Sequence, residues 1–373
     1  MEMVKVQKIR FDKYFTIILA IIICVGITMI FSASSIRALE QFGDMYYFFN
    51  KQIINVVLGL IVMIITAKIR YQKYREFLIW INGITIFLQC LVIFSSFGQT
   101  VNGAERWLNI GGFAFQPSEI AKITVVLTLA HIIHVKKQDG SLNKLVQGIF
   151  PILAYIGLYV GLVLAQKHLS AAGLILLVSV TMLLIGGVKI SYFVIMAATT
   201  IGIAVIGVIM EPFRLRRIVG FLDPEANALG DGYQIVQSWY ALGSGELFGL
   251  GIGMSRQKFS WLPENHTDYI MAVIGEELGF VGVLGIIILF GALLLRGLTI
   301  ASKANDVFGS LIVTGISVII FFQATINFAV VSGWFPTTGM PLPFISYGGT
   351  STIILFIGVG LIYNVYSQIA EKK

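Results

Sequence analysis

Long apolar runs constrain this chain more than any other feature of its sequence. A helix needs about 20 mostly apolar residues to cross a bilayer, and ten runs approach or exceed that length. In chain order they are 14–34, 51–67, 77–96, 117–135, 146–165, 169–188, 190–210, 269–295, 307–331 and 345–367. Only 12% of the residues are charged, against about 25% in soluble domains. The sequence therefore predicts an all-α integral membrane protein with ten transmembrane helices, forming a single domain over residues 1–373.

The basic residues indicate how these helices are oriented, because cytoplasmic loops of membrane proteins are enriched in Lys and Arg. The short loop after the second run carries Lys68, Arg70, Lys73 and Arg75. An even number of spans puts both termini on one side, so we expect both to be cytoplasmic. The segment of about 211–267, between the seventh and eighth spans, then forms a large extracytoplasmic loop. The net charge is +7, but the placement of the basic residues in short loops is explained by membrane topology. We therefore expect no nucleic-acid partner.

Carboxylates beside or inside apolar runs are candidate functional residues, because an ionisable side chain is costly within a membrane. In WLPENHTDYIMAVIGEELG (261–279), Asp268 is the last polar residue before the eighth run, and Glu276 and Glu277 lie about two turns inside it. Asp268 either caps this helix, unless Thr267 does so, or serves as a general base whose pKa is raised by partial desolvation. Adjacent helical residues point about 100° apart, so we expect at most one of the two glutamates to face a given partner.

The stretch QPSEIAK (116–122) combines a helix start with two opposite charges. Pro117 suits the first turn of a helix, where its missing N–H costs nothing. Glu119 and Lys122 are three residues apart, so they share a helix face and can pair. Two interpretations stay open: a structural ion pair that orients two helices, or one charged wall of an active-site cavity.

The stretch GWFPTTGMPLPFISYGGTST (333–352) interrupts the apolar pattern with Pro336, Pro341 and Pro343. Non-helical backbone at membrane depth is tolerated only where protein buries it or where it lines a wet cavity. We therefore expect either a re-entrant structural loop or a wall of a substrate cleft.

Three stretches taken together resemble the signatures of the SEDS family, the shape, elongation, division and sporulation proteins. They are NGAERWLNIGGFAFQPSEIAK (102–122), SRQKFSWLPENHTDYIMAVIGEELGFVG (255–282) and PTTGMPLPFISYGGTS (336–351). The resemblance covers essentially the whole chain, and SRQKFSWLPE is more similar to the FtsW/SpoVE branch than to RodA. One stretch differs: where the family usually carries a PDLGTA-like sequence, this chain reads AQKHLSAAG, with His168 at or near the position of the Asp.

The resemblance implies a peptidoglycan glycosyltransferase that polymerises lipid II at the outer face of the bacterial cytoplasmic membrane, for cell division or sporulation. The implied partners are lipid II, a class B penicillin-binding protein and other division or cell-wall synthesis proteins. A divalent cation, Mg²⁺ or Mn²⁺, is the expected cofactor. Two alternatives stay open: a lipid II flippase, which needs a polar path across the whole membrane, and a non-catalytic scaffold for a penicillin-binding protein.

The family's essential Asp corresponds to Asp268, which is the predicted catalytic base or a ligand of the cation. The predicted substrate-binding residues come from the same motifs and from cations of the outer loop, which would offset the charge of a pyrophosphate leaving group. They are Arg106, Glu119, Lys122, Arg214, Arg216, Lys258, Glu264, His266 and Ser346.

Overall fold

The computed structural model describes a bundle of apolar helices. It covers residues 8–95, 98–101, 104–110, 113–194, 202, 219–230, 232–259 and 261–371. Within those residues, nine helices are long and apolar enough to cross a membrane. They correspond to all the predicted spans except the seventh, because most of 190–210 lies outside the described residues. The predicted class, an all-α membrane protein, is thereby confirmed.

The helices begin and end close to the limits that the hydropathy pattern predicts. They are α1 (Lys13–Phe42), α2 (Tyr47–Lys68), α3 (Tyr74–Phe94), α4 (Pro117–Gln138), α5 (Phe150–Ala165), α6 (Leu169–Gly186), α7 (Tyr233–Ser244), α8 (Ile270–Ser302), α9 (Val307–Val331) and α10 (Gly349–Glu371). A 3₁₀ turn precedes α3 and a π-helical turn precedes α5. The short α7 belongs to the predicted outer loop, and Pro117 is the first residue of α4, as its chemistry predicts.

Helices α4, α9 and α10 form the centre of the bundle. More than 70% of the most apolar stretch of each is buried, against 22% for α2, α3 and α8. A helix that is covered on all sides needs apolar residues all round, and any polar side chain on it must find a partner inside the protein. The buried polar residues of the central helices are therefore informative about the site.

One side of the bundle gathers both described ends of the chain. The side chain of Asp12 caps α1 by accepting from the Phe15 N–H at 2.9 Å. The same carboxylate binds the Arg296 guanidinium, near the end of α8, at 2.6 and 2.8 Å. The Arg10 N–H donates to the Ser367 hydroxyl near the end of α10 at 2.8 Å. The start of α8, and with it Asp268, must lie at the opposite side.

A small antiparallel sheet links α3 to α4, which the all-helical prediction missed. Its strands are β1 (Gly98–Val101), β2 (Ala104–Ile110) and β3 (Phe113–Phe115), in that spatial order. Strand β2 pairs with both neighbours and buries Leu108 completely. The sequence did contain a signal, because an Asn-Gly dipeptide such as Asn102-Gly103 is typical of a two-residue hairpin.

Helix α8 is broken at Gly279, where the sequence predicts an uninterrupted span. Gly279 has φ +68°, and a Cβ there would lie 2.4 Å from the backbone nitrogen of Gly249. The N–H groups of Leu250 and Gly251 donate to the carbonyls of Glu276 and Glu277 at 2.9 and 3.0 Å. The N–H groups of the two residues after the break donate back to carbonyls of the same loop. The loop therefore replaces the helical hydrogen bonds that the break removes.

Candidate active site

A cavity of about 510 Å³ opens beside Asp268. Its walls come from the start of α2, the small sheet, the segment 339–351 and the two residues before the N-cap of α8. Its polar and aromatic lining residues include Lys51, Asn55, Trp107, Gln116, Thr267, Asp268, Tyr347 and Thr350. Since these residues come from distant parts of the sequence, the fold alone brings them together.

Asp268 does not cap helix α8. The N-cap position is Tyr269, and no side chain makes the capping bond there. The Asp268 side chain is half-buried at the cavity wall, and one of its oxygens lies 3.0 Å from the Thr267 hydroxyl oxygen. Asp268 is therefore not at the N-cap position, and it borders the cavity.

Arg106 approaches the same place from strand β2. A Cβ on Gly339 would lie 3.8 Å from a guanidinium nitrogen of Arg106 and 3.8 Å from the second carboxylate oxygen of Asp268. Gly339 also has φ +69°, which side-chain-bearing residues rarely adopt. The glycine thus leaves open the space that the predicted base and the predicted substrate-binding arginine share.

Asn327 on α9 holds the backbone of this site, and sequence reasoning missed it. Its amide Nδ2 donates to the carbonyl of Asp268 at 2.7 Å and to that of Met340 at 2.9 Å. The side chain is buried. One amide therefore fixes the distance between the Asp268 segment and the Gly339 segment.

Glu119 and Lys122 form the predicted ion pair at 2.9 Å, and both side chains are about 95% buried. Lys122 Nζ donates to the side-chain oxygen of Gln323 at 2.8 Å. The Gln323 amide in turn donates to the carbonyl of Pro341 at 2.9 Å, and Pro341 borders the cavity. The pair thus lies one residue behind the cavity wall, where it supports the segment around Gly339.

His168, which the resemblance places at or near the position of an Asp in the family, is a neutral imidazole here. Burial lowers its pKa well below the ordinary value, and the charges of Arg106 and Lys122 lower it further. The Gln116 amide donates to Nδ1 of His168 at 3.1 Å, and the Ser118 hydroxyl lies at the same distance. His168 therefore orients Gln116, which borders the cavity.

Glu264 shapes the turn that leads into Asp268. It has φ +56°, and its carboxylate accepts from the Thr267 hydroxyl at 2.7 Å. Its carbonyl accepts from the N–H groups of Thr267 and Tyr269 at 3.2 and 3.1 Å. The sequence predicts a substrate-binding role for Glu264. The structure gives that role no direct support, because Glu264 is not among the described residues that line the cavity.

His266 is buried beneath the cavity wall. Its ring packs against Phe48 and Tyr347, with centroids 4.4 and 5.8 Å away, and its Nδ1–H donates to the Asn265 side-chain oxygen at 3.0 Å. Burial lowers its pKa to about 4, helped by the charge of Arg37. The imidazole is therefore neutral at physiological pH, and it contacts the wall residue Tyr347.

Ser346 joins the two segments that flank the cavity. Its hydroxyl donates to the Thr267 carbonyl and accepts from the Leu342 N–H at 2.7 Å. The side chain is 2% exposed. This geometry gives Ser346 a positioning role next to Asp268 instead of a direct contact with the cavity.

Lys258 is engaged in a buried ion pair with Glu277 at 3.1 Å. Glu277 also accepts from the Ser32 hydroxyl at 2.6 Å. Glu276 accepts from two backbone N–H groups of the same loop at 2.9 and 3.2 Å. Both glutamates thus face one partner, residues 253–258, against the expectation that at most one would. The reason is the break at Gly279, which ends the helical turn and lets the loop wrap around it.

Arg214 and Arg216 lie outside the described residues. Lys51, which the sequence presents only as a charge at the start of a span, borders the cavity. Its ammonium donates to the Tyr47 hydroxyl at 2.6 Å and lies 4.2 Å from the centre of that ring. Of the described lining residues, Lys51 carries the one cationic side chain and Asp268 the one carboxylate.

The donor set fits a metal ion only when a substrate completes it. Within the described part of the chain, no three His, Cys, Asp or Glu side chains converge as a metal site. Mg²⁺ is commonly bound by one or two protein carboxylates together with substrate phosphates. Asp268 meets that requirement, so an ion shared with a phosphate-bearing substrate fits these residues and a resident protein cage does not.

The family model for cell cycle proteins of the FtsW, RodA and SpoVE type matches residues 12–371. The chain belongs to this family. It is a multi-pass membrane protein, as the family and the apolar helices agree, and the resemblance drawn from the three motifs is confirmed.

Relatives of the family match over nearly their whole length. The probable peptidoglycan glycosyltransferase FtsW of Geobacter sp. strain M18 is 38% identical, over 96% of this chain and 97% of the relative. Stage V sporulation protein E of Bacillus subtilis strain 168 is 36% identical, over 95% and 96%.

Two solved structures share the fold. A chain from a peptidoglycan synthase complex that coordinates polymerization and crosslinking superposes with a TM-score of 0.77, covering 96% of this chain and 98% of that one at 24% identity. The rod shape determining protein RodA of Thermus thermophilus gives 0.68, with 95% and 96% covered at 24% identity. The family's helical bundle is therefore the fold of this chain.

Proposed function

We propose that this protein is a peptidoglycan glycosyltransferase that polymerises lipid II at the outer face of the bacterial cytoplasmic membrane. One observation carries the proposal: a single cavity brings the carboxylate of Asp268 together with the ammonium of Lys51, and Arg106 reaches the same space. Relatives that match the chain almost end to end carry this activity in their names. Because one of these relatives is an FtsW and another is stage V sporulation protein E, the proposed role is in cell division or sporulation.

We further propose that the chain crosses the membrane ten times. Both termini then lie in the cytoplasm, and a large outer loop connects the seventh and eighth spans. The contact between Arg10 and Ser367 supports termini on one side. The basic cluster from Lys68 to Arg75 lies at the end of α2 and the start of α3, and such clusters favour the cytoplasmic face. The cavity is then extracytoplasmic, where lipid II presents its sugars.

Asp268 acts as the general base of the proposed reaction. A hydroxyl of the acceptor sugar attacks the anomeric carbon of the donor, a new C–O bond forms, and the bond from that carbon to the pyrophosphate oxygen breaks. The carboxylate accepts the hydroxyl proton, and the electron pair of the broken bond leaves with the pyrophosphate. A positioned acid or base typically accelerates such a step by about 10²–10⁴-fold.

Cations next to the carboxylate offset the charge of the leaving group. Lys51 and Arg106 supply charge-assisted hydrogen bonds, which are roughly twice as strong as neutral ones. A divalent cation, Mg²⁺ or Mn²⁺, would be held by Asp268 together with the pyrophosphate oxygens and would supply further neutralisation. Gln116, oriented by His168, offers an uncharged amide at the same wall.

A class B penicillin-binding protein is the proposed partner, together with other cell-wall synthesis proteins. The support is the solved peptidoglycan synthase complex whose chain shares this fold. A flippase is the second candidate, favoured by the buried Glu119–Lys122 pair at the outer end of α4. The two charges are paired with each other inside the protein, which supports the polymerase over the flippase.

Purified protein in liposomes with lipid II, Mg²⁺ or Mn²⁺ and its penicillin-binding partner tests the proposal. We expect glycan strands on gel electrophoresis, and no transfer of fluorescent lipid II between leaflets. Leaflet transfer without strands would favour the flippase. Strands from the partner alone, unchanged by this protein, would favour the scaffold.

Lys51→Gln is expected to lower polymerisation by about 10–100-fold, since a hydrogen bond to a charged group contributes roughly 1.5–3 kcal/mol. Lys51→Arg keeps the charge and should retain most of the activity. Lys68→Gln, at the other end of the same helix, is the matched control. Equal initial rates for Lys51→Gln and the control would remove Lys51 from the mechanism.

Asn327→Leu is expected to lower polymerisation by roughly 10²-fold, because a shift of about 1 Å at a reacting group has that effect. The variant frees two carbonyls and releases the Asp268 segment from the Met340 segment. Thr325→Ala, on the same helix with an exposed side chain, is the control. An Asn327→Leu protein with a normal rate would show that the amide is dispensable for positioning Asp268.

A further inference from the structure

Residues 247–254, here called the apolar loop, expose an unusual surface. Their sequence, LFGLGIGM, has no charged residue. Glu246 directly precedes the loop, and Arg256 follows it after one residue. Five large apolar side chains in it are exposed, namely Leu247, Phe248, Leu250, Ile252 and Met254. A contiguous apolar patch of this kind marks a surface that something apolar covers.

Several backbone groups of the apolar loop, among them four N–H groups, are hydrogen-bonded within the protein. Polar backbone groups can enter hydrocarbon only when the protein itself satisfies them. The N–H groups of Leu250 and Gly251 donate to carbonyls at the end of the first part of α8, and the carbonyl of Leu247 accepts from Val281 at 3.1 Å. The Met254 N–H donates to the Gly251 carbonyl. These bonds leave the apolar side chains as the outer face of the loop.

The loop also lies at the right depth. Arg296 pairs with Asp12 at the start of α1, which marks the cytoplasmic boundary of the bundle. A hydrocarbon core of about 30 Å corresponds to roughly 20 helical residues at 1.5 Å each. Counting back from Arg296 along α8 reaches Glu276, next to the break at Gly279. The apolar loop, which is hydrogen-bonded to this turn, therefore sits at the outer edge of the hydrocarbon core.

The surface continues into a face of α8 that has the composition of a lipid contact. Phe280, Val281 and Leu284 follow the break and are exposed. The backbone of Phe280 donates to the carbonyl of Glu246 at 2.9 Å, so this face directly adjoins the loop. One apolar surface thus runs from the membrane-spanning part of α8 onto the loop.

We propose that the apolar loop is an interfacial anchor whose side chains enter the acyl chains of the outer leaflet, with Glu246 and Arg256 at the level of the headgroups. Residues 255–258, which directly follow the loop, bind the buried side chains of Glu276 and Glu277. After the loop, the Asn265 amide donates to the carbonyl of Lys258 at 3.2 Å, which links the residues that follow the loop to the segment before Asp268. This inference uses the proposed orientation and is independent of the proposed reaction.

Collision measurements on spin-labelled protein in phosphatidylglycerol–phosphatidylethanolamine liposomes test the anchor. The native cysteines, Cys24 and Cys90, are replaced by Ala, and a nitroxide is attached to Phe248→Cys or Ile252→Cys. Ala228→Cys, in the polar part of the outer loop, is the control. Oxygen concentrates in acyl chains and a nickel chelate in water, so their collision rates report which medium surrounds the label.

We expect the labels at 248 and 252 to collide more with oxygen than with the nickel chelate, and the control to show the reverse ratio. Collision with nickel as frequent as at Ala228→Cys would overturn the proposal, because the loop would lie in water. Protection from both reagents would overturn it too, since protein would cover the loop. Both labelled sites are exposed, and size-exclusion profiles matching the cysteine-free parent establish that the fold is retained.

Discussion

Asp268→Asn is expected to lower lipid II polymerisation by about 10²–10⁴-fold, the contribution of a positioned general base. The amide keeps the size of the carboxylate and can still pair with the Thr267 hydroxyl, which is 3.0 Å from Oδ1. The amide cannot accept the proton of the attacking hydroxyl. It also binds a divalent cation shared with the substrate more weakly than the carboxylate does. The measurement is the initial rate of glycan-strand formation by protein that elutes as a single folded species.

Two comparison variants make the Asp268 result specific. Glu225→Gln removes another carboxylate of the outer loop, which is exposed, and should leave the rate unchanged. Asp268→Glu keeps the base but moves it by one methylene, so an intermediate rate is expected. A folded Asp268→Asn protein as fast as wild type would contradict the assignment and redirect attention to Lys122 and Glu119.

Lys122→Met is expected to destabilise the protein by about 3–5 kcal/mol, because it leaves the buried Glu119 carboxylate without its partner. Replacing both members, with Glu119→Gln and Lys122→Met, should recover most of that loss, since no uncompensated charge remains. Thermal unfolding in detergent, followed by size-exclusion chromatography, measures the difference. Arg70→Met removes a partner from the exposed pair with Glu371, 4.0 Å apart, and should cost at most about 1 kcal/mol.

The double variant also separates the two interpretations of the Glu119–Lys122 pair. If the pair only supports the wall through Gln323 and Pro341, the stable double variant keeps substantial polymerisation. If the charges themselves act on substrate, that variant folds and is inactive. The structure favours the first result, because Lys122 donates to Gln323 behind the wall.

Local features of the sequence were sufficient to predict much of the fold. Hydropathy over about 20 residues located the nine described spans, and Pro117 marked the start of α4. The ion pair of Glu119 and Lys122 followed from helical spacing alone. Each of these predictions depends on residues close together in the chain, where spacing determines geometry.

Other features depend on contacts between distant segments. The run IMAVIGEELGFVG contains no proline, and nothing local shows that the loop around Gly249 replaces its hydrogen bonds at Gly279. Lys51 and Trp107 border the same cavity as Asp268 because α2 and the small sheet both pack against α10. The charge of Lys258 suggested substrate binding, but its partner Glu277 becomes a neighbour only through the same loop.

Photo-crosslinking shows whether lipid II occupies the cavity beside Asp268. A benzophenone amino acid replaces Trp107 in the cavity wall, or Phe87 on the exposed face of α3, in protein bound to radiolabelled lipid II. We predict label on the Trp107 variant that excess unlabelled lipid II removes, and little on the Phe87 variant. Equal labelling at both positions, or labelling at Phe87 alone, would contradict the account.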